Sequence, residues 1–302
     1  MKKWQKRTGI GLGSIVLALI LGIIVVYAAS EASFRRAYDD VAISPMRAAT
    51  GAASIERGRH LATAIGKCVD CHGGDLGGKV FIDAGPLGTV IASNLTTGRG
   101  GVISRYSDGQ LERAIRHGID ADGRALAIMP SADYSVMSDT DVQALIAYLR
   151  TVPPVDRELP STTIRTLGRA LYVAGKLQLF PAEMMNHRAP RGAPVPAGVT
   201  VEYGQYLASI GGCRGCHGKD LAGAAEGEGP GMPPAANLTP AGELKSWSEA
   251  QFFRAMRTGV RPNGQAIRAP MPWALTGQST DDELRALWMY IKSVPAAPTP
   301  TE

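Results

Sequence analysis

The chain has few aromatic residues: Phe, Trp and Tyr make up only 6% of its 302 residues. Glycine, with 36 residues, and proline, with 20, are common. Hydrophobic residues reach 45%, which excludes disorder of the whole chain, and the length suffices for two domains with their own cores. Loops rich in glycine with few large side chains are typical of small domains that enclose something other than protein. We therefore expect a bound cofactor.

The chain also lacks a strong charge of either sign. Its formal net charge is +5, and four of the basic residues, Lys2, Lys3, Lys6 and Arg7, precede the first hydrophobic run. The remainder is almost neutral, which leaves no electrostatic footprint for nucleic acid. We expect no nucleic-acid partner.

Cysteine is scarce, and its placement is informative. The four cysteines occur in two five-residue strings that each end in histidine: Cys68, Cys71, His72 and Cys213, Cys216, His217. Two thiols at this spacing can each form a thioether to one edge of the same porphyrin, and the adjacent histidine can then bind the iron. The strings predict two covalently bound haem c groups, with His72 and His217 as axial ligands.

Three other interpretations of the cysteines are weaker. A structural zinc site needs two further ligands in each domain, and the remaining histidines are only His60, His117 and His187. A redox dithiol does not require the histidine. A disulfide between the two cysteines would close a loop too small to stabilise much.

The N-terminal segment is a run of 23 uncharged residues, Thr8 to Ser30, behind the basic head MKKWQKR. About 20 apolar residues span a bilayer, whereas the apolar region of a cleaved signal has roughly 7 to 15. We predict a single transmembrane helix. By the positive-inside rule its basic end stays in the cytoplasm, so the haem domains lie in the periplasm, on the inner membrane. A removable signal is the alternative, since Val26-Tyr27-Ala28 resembles a cleavage site.

The chain repeats itself with an offset of about 143 residues. YSDGQLERAIRHG in the first copy is answered by WSEAQFFRAMRTG in the second, and both copies end in a helical pattern. The middle helix is predicted to be capped by Ser107 or Ser248, and the last helix to begin at Ser138 or Thr280, with Glu283 completing a capping box. Without a convincing alternating strand pattern, we predict an all-α fold.

A Met-Pro pair recurs at the same place in both copies, as Met129-Pro130 and Met271-Pro272. A thioether sulfur is a soft ligand for iron, and proline fixes the backbone beside it. Recurrence with the proline favours Met129 and Met271 as the second axial ligands over core methionines. The weaker candidates lack a matching partner or fall elsewhere in the pattern: Met137, Met232, Met256, Met289 and His117.

Two further patterns are less specific. Asn94, Thr96, Asn237 and Thr239 recur in loops, where they either donate to haem propionates or are ordinary turn residues. Between the copies, IRTLGRALYVAGKLQLF predicts an amphipathic helix with a basic face. Such a helix either lies on a membrane surface or packs between the two domains.

Together CVDCH, CRGCH, the Asn-Leu-Thr loop, the Met-Pro pair and the closing Ala-Tyr-Leu helix resemble the haem-binding cytochrome c domain, over about two thirds of the chain. More narrowly, the pattern is similar to the cytochrome subunits of bacterial membrane-bound alcohol, aldehyde and gluconate dehydrogenases. Those subunits usually have three haem motifs, whereas this chain has two. The resemblance implies His72 and His217 as proximal ligands, Met129 and Met271 as distal ligands, and electron flow toward quinone or a terminal oxidase.

The expected architecture is two tandem cytochrome c domains behind a transmembrane helix. It divides into an anchor (1–30), a connector (31–54), a first domain (55–153), a linker with the basic helix (154–199) and a second domain (200–302). The predicted function is electron transfer beside a respiratory dehydrogenase, quinol-oxidising complex or terminal oxidase, without catalysis by this chain. The alternatives are a di-haem enzyme, such as a peroxidase or thiosulfate-oxidising cytochrome, and a structural subunit.

Overall fold

A computed structural model describes residues 3–189, 194–224 and 233–300. The helices are α1 (Lys3–Phe34), α2 (Ala52–His60), α3 (Cys68–His72), α4 (Asp108–His117), α5 (Ser131–Tyr134), α6 (Asp139–Thr151), α7 (Thr166–Val173), α8 (Val201–Ile210), α9 (Cys213–His217), α10 (Glu249–Thr258), α11 (Trp273–Thr276) and α12 (Asp281–Ser293). A π-helical turn, Leu61–Ile65, extends α2, and 3-10 turns lie at Ile103–Arg105, Pro181–Met184 and Glu243–Ser246.

The described helices fall into two copies of one arrangement. The first domain, α2 to α6, and the second, α8 to α12, each run from a first helix through a Cys-x-x-Cys-His turn, a middle helix and a one-turn helix to a last helix. The predicted helical fold and its duplication are therefore confirmed.

A small sheet was not predicted. Strands β1 (Lys79–Asp83), β2 (Gly88–Ala92) and β3 (Thr163–Ile164) pair antiparallel in the order β1-β2-β3. The strands give no alternating pattern because β2 carries the neighbouring apolar residues Val90 and Ile91 on opposite faces, and no residue of β1 is buried. β3 has two residues and comes from the linker.

The helix starts follow the predicted capping chemistry. Ser107 and Ser248 each accept a hydrogen bond of 3.2 Å from the backbone N–H three residues on, and both complete a capping box. Thr280 and Glu283 form the predicted box at the start of α12, and Ser138 caps α6. Local sequence thus sets where these helices begin.

In each domain the first and last helices cross at a glycine. A Cβ on Gly58 would overlap the carbonyl oxygen of Ala144, and a Cβ on Gly204 would overlap that of Ala286. Neither obstacle is a flexible side chain, because both are backbone atoms of the last helix. The two glycines therefore permit the close crossing that fixes the angle between the helices.

The two domains share one core and meet through reciprocal polar contacts. Arg57 of the first domain pairs with Asp141 of its own domain (2.9 Å) and with Glu283 of the second (3.1 Å). His60 lies 2.6 Å from Glu283, and Tyr206 donates to Asp141 at 2.7 Å. His60 and Tyr206 occupy matching places in α2 and α8, so each domain's first helix contacts the start of the other domain's last helix.

The linker helix is shorter than predicted, spanning only Thr166–Val173, and it packs against the end of α1 rather than between the two domains. Arg169 donates at 2.8 Å to both Ser30 and Glu31. Its guanidinium also lies 4.7 Å from the Tyr27 ring centre and 4.3 Å from that of Phe34. The basic face predicted for this helix therefore contributes at least one residue to an internal contact.

Within α1, residues Gly11–Phe34 form a stretch of 24 residues whose most apolar window of 18 residues has a mean hydropathy of 2.7. None of its most apolar window is buried against the rest of the chain. By length and composition this stretch is able to cross a bilayer, a property that N-terminal signal sequences share.

Candidate haem sites

The two Cys-x-x-Cys-His strings form the same short helical turn. In α3 and α9 the residue before the first cysteine is left-handed, with φ of 53° at Lys67 and 70° at Gly212. The residue after the histidine is a glycine with positive φ in both, 84° at Gly73 and 80° at Gly218. Matching backbone angles on both sides give the two turns the same shape.

Each histidine is oriented by one backbone carbonyl. Nδ1 of His72 lies 2.7 Å from the carbonyl oxygen of Ser93, and Nδ1 of His217 lies 2.7 Å from that of Ala236. A carbonyl only accepts, so Nδ1 carries the proton and the lone pair of Nε2 remains for a metal. Burial lowers the pKa of both histidines, which favours the neutral form that binds metals. Hydrogen-bonded carbonyls of this kind support metal-binding histidines in general.

In the first domain the predicted ligands converge on one cavity of about 490 Å³. Cys68, Cys71 and His72 line one part of it, and Met129 also lies in its wall. The volume falls within the roughly 300–1,000 Å³ typical of cofactor pockets. The rest of the wall is largely apolar and includes Val90, Ala92, Leu95, Val102, Leu111, Ile115, Leu145 and Leu149.

This donor set fits a haem c. The cavity offers two thiols at its edge, an imidazole with a fixed tautomer and a thioether sulfur, inside apolar walls that exclude water. A four-ligand zinc site is not assembled, because among the residues that the structure describes no three His, Cys, Asp or Glu side chains come together as a metal site.

The Met-Pro pairs have the same local structure in both domains. Pro130 and Pro272 precede the one-turn helices α5 and α11, with φ and ψ of −78° and 51° in the first and −82° and 52° in the second. Met129 and Met271 are both partly buried against the core. The structure therefore places Met271 in the second domain where Met129 lies in the first.

The other methionines weighed from the sequence lie elsewhere. Met137 is fully buried in the core, and Met256 is buried on the middle helix of the second domain. Met289 lies on α12 with 36% of its surface exposed. Met232 falls outside the described residues. Of the described candidates, Met137, Met256 and Met289 do not line the first cavity, and neither does His117, which lies 3.1 Å from His187.

The Asn-Leu-Thr loops have a different role from donation to haem propionates. Asn94 Nδ2 donates to the carbonyl of Val155 at 2.7 Å, and its Oδ1 accepts from the backbone and hydroxyl of Thr96. Asn237 and Thr239 repeat this arrangement, with Ala297 in the place of Val155. The propionate hypothesis is wrong for these side chains, because their hydrogen bonds hold the chain that leaves each last helix.

Comparison with known proteins gives a match in each half of the chain. The family described as "Cytochrome C oxidase, cbb3-type, subunit III" matches residues 53–149, and the family described as "Cytochrome c" matches residues 201–295. The chain belongs to the cytochrome c family. Its two cytochrome c domains correspond to the two structural repeats, and domains of this family bind haem c.

Several characterised proteins are similar to this cytochrome over most of its length. A nicotinate dehydrogenase subunit of Pseudomonas putida is 31% identical, covering 82% of this chain and 22% of that protein. The fructose dehydrogenase cytochrome subunit of Gluconobacter japonicus is 29% identical, covering 83% and 55%. A diheme cytochrome c-type protein of Cereibacter sphaeroides is 28% identical, covering 82% and 87%. The chain thus spans about a fifth and about half of the first two relatives, and most of the third.

Sequence reasoning missed the two carbonyls that orient the histidines and the interdomain contact of Lys67 described below. Any residue offers a backbone carbonyl, so Ser93 and Ala236 give no signal by type. Their common place, just before the Asn of each Asn-Leu-Thr loop, was the only available clue.

Proposed function

We propose that this cytochrome is an electron carrier with two covalently bound haem c groups, working as a subunit or partner of a respiratory dehydrogenase or oxidase. The observation that carries the proposal is the convergence of Cys68, Cys71, His72 and Met129 on one cavity, with the proton of His72 held on Nδ1. Bound haem would supply an iron that cycles between Fe(II) and Fe(III).

We assign the residues by their chemistry and by the repeat. The sulfurs that would hold the porphyrins are those of Cys68, Cys71, Cys213 and Cys216. The axial ligands would be Nε2 of His72 and His217 and the sulfurs of Met129 and Met271. If haem were held by these donors, its iron would have no position left for a substrate, which favours electron transfer over catalysis.

The protein's own contribution is to hold these donors and to exclude water. The carbonyls of Ser93 and Ala236 fix the histidine rings, and Pro130 and Pro272 fix the backbone next to the methionines. The apolar wall of the first cavity lowers the local dielectric constant, which together with the thioether ligand favours a higher reduction potential.

We further propose that the haem domains lie on the periplasmic face of the inner membrane, held by α1. The basic head keeps the N-terminus in the cytoplasm, and the end of α1 is joined to the linker through Arg169, Ser30 and Glu31. Cleavage after Ala28 would remove the ring of Tyr27 from under Arg169. These contacts support an anchor that remains part of the mature protein.

The redox partner is proposed from the relatives. The names of two of them assign those proteins to dehydrogenases of nicotinate and fructose, and other similar proteins are named cytochrome c subunits of quinone-linked alcohol dehydrogenases and of gluconate 2-dehydrogenase. A dehydrogenase that oxidises a small organic substrate is therefore the partner we propose. Co-purification in mild detergent should yield such a subunit, and isolation of the chain with a terminal oxidase alone would contradict it.

Carbon monoxide tests the ligand assignment. Neither haem of the reduced protein should bind carbon monoxide readily, whereas Met129→Ala and Met271→Ala should each open one haem. The visible spectrum on addition of the gas reports this directly. Met137→Leu, which changes a core methionine at nearly constant volume, is the matched control and should bind none. Rapid binding at both haems of the unaltered protein would contradict the electron-carrier assignment and favour a di-haem enzyme.

A further inference from the structure

The residue before the attachment turn is a lysine in the first domain and a glycine in the second, and the lysine strains the backbone. Both Lys67 and Gly212 are left-handed, with φ of 53° and 70°. Glycine adopts this conformation freely, whereas a residue with a side chain is strained in it. A lysine at this strained position therefore indicates that its side chain makes an interaction that offsets the strain.

The side chain of Lys67 reaches the other domain. Its ammonium donates to the carbonyl of Gly211 at 2.8 Å and to that of Ile65 at 3.0 Å. Gly211 and Gly212 immediately precede the second attachment turn, which begins at Cys213. One lysine thus connects the start of the first turn, at Cys68, with the start of the second.

The duplication shows what Lys67 replaces. In the first domain the carbonyl equivalent to that of Gly211 belongs to Gly66, and it accepts a hydrogen bond of 2.5 Å from the hydroxyl of Tyr134. The residue that matches Tyr134 in the second domain is Thr276, which follows Met271 by the same number of residues. The second domain thus lacks the tyrosine at this place, and the first domain supplies a charged donor to the matching carbonyl.

The position of the charge is electrostatically significant. Burial lowers the pKa of Lys67, whereas the acidic groups Asp70 and Asp133 favour its charged form, and the ammonium has two carbonyl oxygens as acceptors. Lys67 also lines the first cavity, so a single ammonium group lies beside both attachment turns.

We propose that Lys67 is a positioning residue that joins the two haem-attachment turns and places one positive charge beside both haem sites. This inference rests on the proposed function. A positive charge close to a haem stabilises the reduced state, which has one positive charge fewer. Lys67 therefore raises the reduction potentials of both haems and holds the two turns at a fixed separation.

The test is a redox titration of the full-length protein, followed by visible absorption, for three variants. Lys67→Met removes the charge at similar length, Lys67→Gly removes it and restores the residue of the second domain, and Lys67→Arg keeps it. Lys245→Met removes an exposed lysine of the second domain and serves as the control for net charge.

We expect Lys67→Met and Lys67→Gly to lower the equilibrium constant for reduction about tenfold at one or both haems, or about 59 mV for a one-electron couple, and measurably at each. Lys67→Arg should restore most of the loss, and Lys245→Met should change little. Lys67→Gly relieves the strained backbone, so we expect it to fold. It therefore still provides a test if Lys67→Met does not fold.

The inference is overturned if Lys67→Gly carries both haems and the potential of either haem is unchanged. The intact mass of the unaltered protein keeps this outcome separate from failure of the proposed function. A protein with two haems and no response to Lys67 substitution refutes the role of Lys67 alone. A protein without haems refutes the proposed function itself.

Discussion

The two domains have the same internal plan and differ in what surrounds it. In the first, the Asn-Thr pair at Asn94 holds the start of the linker at Val155, whereas in the second the pair at Asn237 holds the C-terminal segment at Ala297. In both domains, the Asn-Thr pair therefore forms the same hydrogen bonds with the segment that follows the last helix; we call this arrangement the clamp. What differs is where that chain goes next.

The first domain is the one joined to the apolar N-terminal helix. The linker adds β3 to its small sheet and packs α7 on the end of α1, and Phe34 of α1 lies in the wall of the first cavity. The second domain meets the first through the paired contacts of His60 with Glu283 and Tyr206 with Asp141. The duplicated parts contain the residues that we propose hold the haems, and the parts that are not duplicated form the contacts with the apolar helix.

The largest effect is expected at the domain interface, where Glu283 is buried. Burial alone would raise its pKa, but the contact with His60, the backbone N–H of Thr280 and the charge of Arg57 lower it to about 2. A carboxyl with a depressed folded pKa stabilises the fold above its unfolded value of 4.5, and this stabilisation is lost as the pH falls toward about 2. The shift corresponds to about 3 kcal/mol.

Chemical denaturation between pH 6 and about pH 3 measures this loss. Glu283→Gln should lose less stability than the unaltered protein as the pH falls through this window, and it should be less stable at neutral pH. Glu202→Gln, which neutralises an acidic side chain on α8 outside the network, is the control. An equal loss of stability on acidification in Glu283→Gln and in the unaltered protein would contradict the assignment of the depressed pKa to this carboxyl.

An intermediate effect is expected where the helices cross. Gly58→Ala and Gly204→Ala would each press a methyl group against a backbone carbonyl, at a cost of about 1–3 kcal/mol. Thermal unfolding followed by visible absorption should show a loss of stability for both, of similar size, because the crossings match. Gly74→Ala, where an added Cβ meets nothing within 4 Å, is the control. A loss confined to one domain would show that the crossings are not equivalent.

The smallest effect is expected at the contact that distinguishes the domains. Arg169→Met removes the donors to Ser30 and Glu31 and the charge over Tyr27 and Phe34, and should weaken the packing of α7 on α1 by about 1 kcal/mol.

Hydrogen–deuterium exchange in detergent should then rise in residues 166–173 and stay unchanged in residues 281–293. Arg165→Met, which removes an exposed donor to Gly85, is the control. Equal exchange in Arg169→Met and in the unaltered protein would show that this contact does not hold the linker helix.

The sequence was most informative where chemistry and local structure depend on neighbouring residues. The two Cys-x-x-Cys-His strings, the Met-Pro pairs and the caps at Ser107, Ser248 and Thr280 could all be read directly. A helix cap depends on two residues three positions apart, and an attachment turn depends on five consecutive residues. The structure places each of these features as the repeat indicates.

Features that depend on distant residues could not be predicted. The sheet needs a strand from the linker, and β2 is apolar on both faces, so no alternation marks it. The clamp at Asn94 needs a carbonyl of Val155, 61 residues away, and the pair of Arg57 with Glu283 joins residues 226 apart. From their side-chain type, the Asn-Thr pairs could have donated hydrogen bonds to haem propionates. Their hydrogen-bond partners in the structure are instead backbone carbonyls and each other.

Covalent haem attachment is tested by the intact mass of the mature protein, compared with that of the variant in which Cys213 and Cys216 are both replaced by alanine. We expect two covalently added haem groups in the unaltered protein and one in the variant, with the iron content changing in the same ratio. A mass equal to that of the bare polypeptide, or zinc in place of iron, would contradict it.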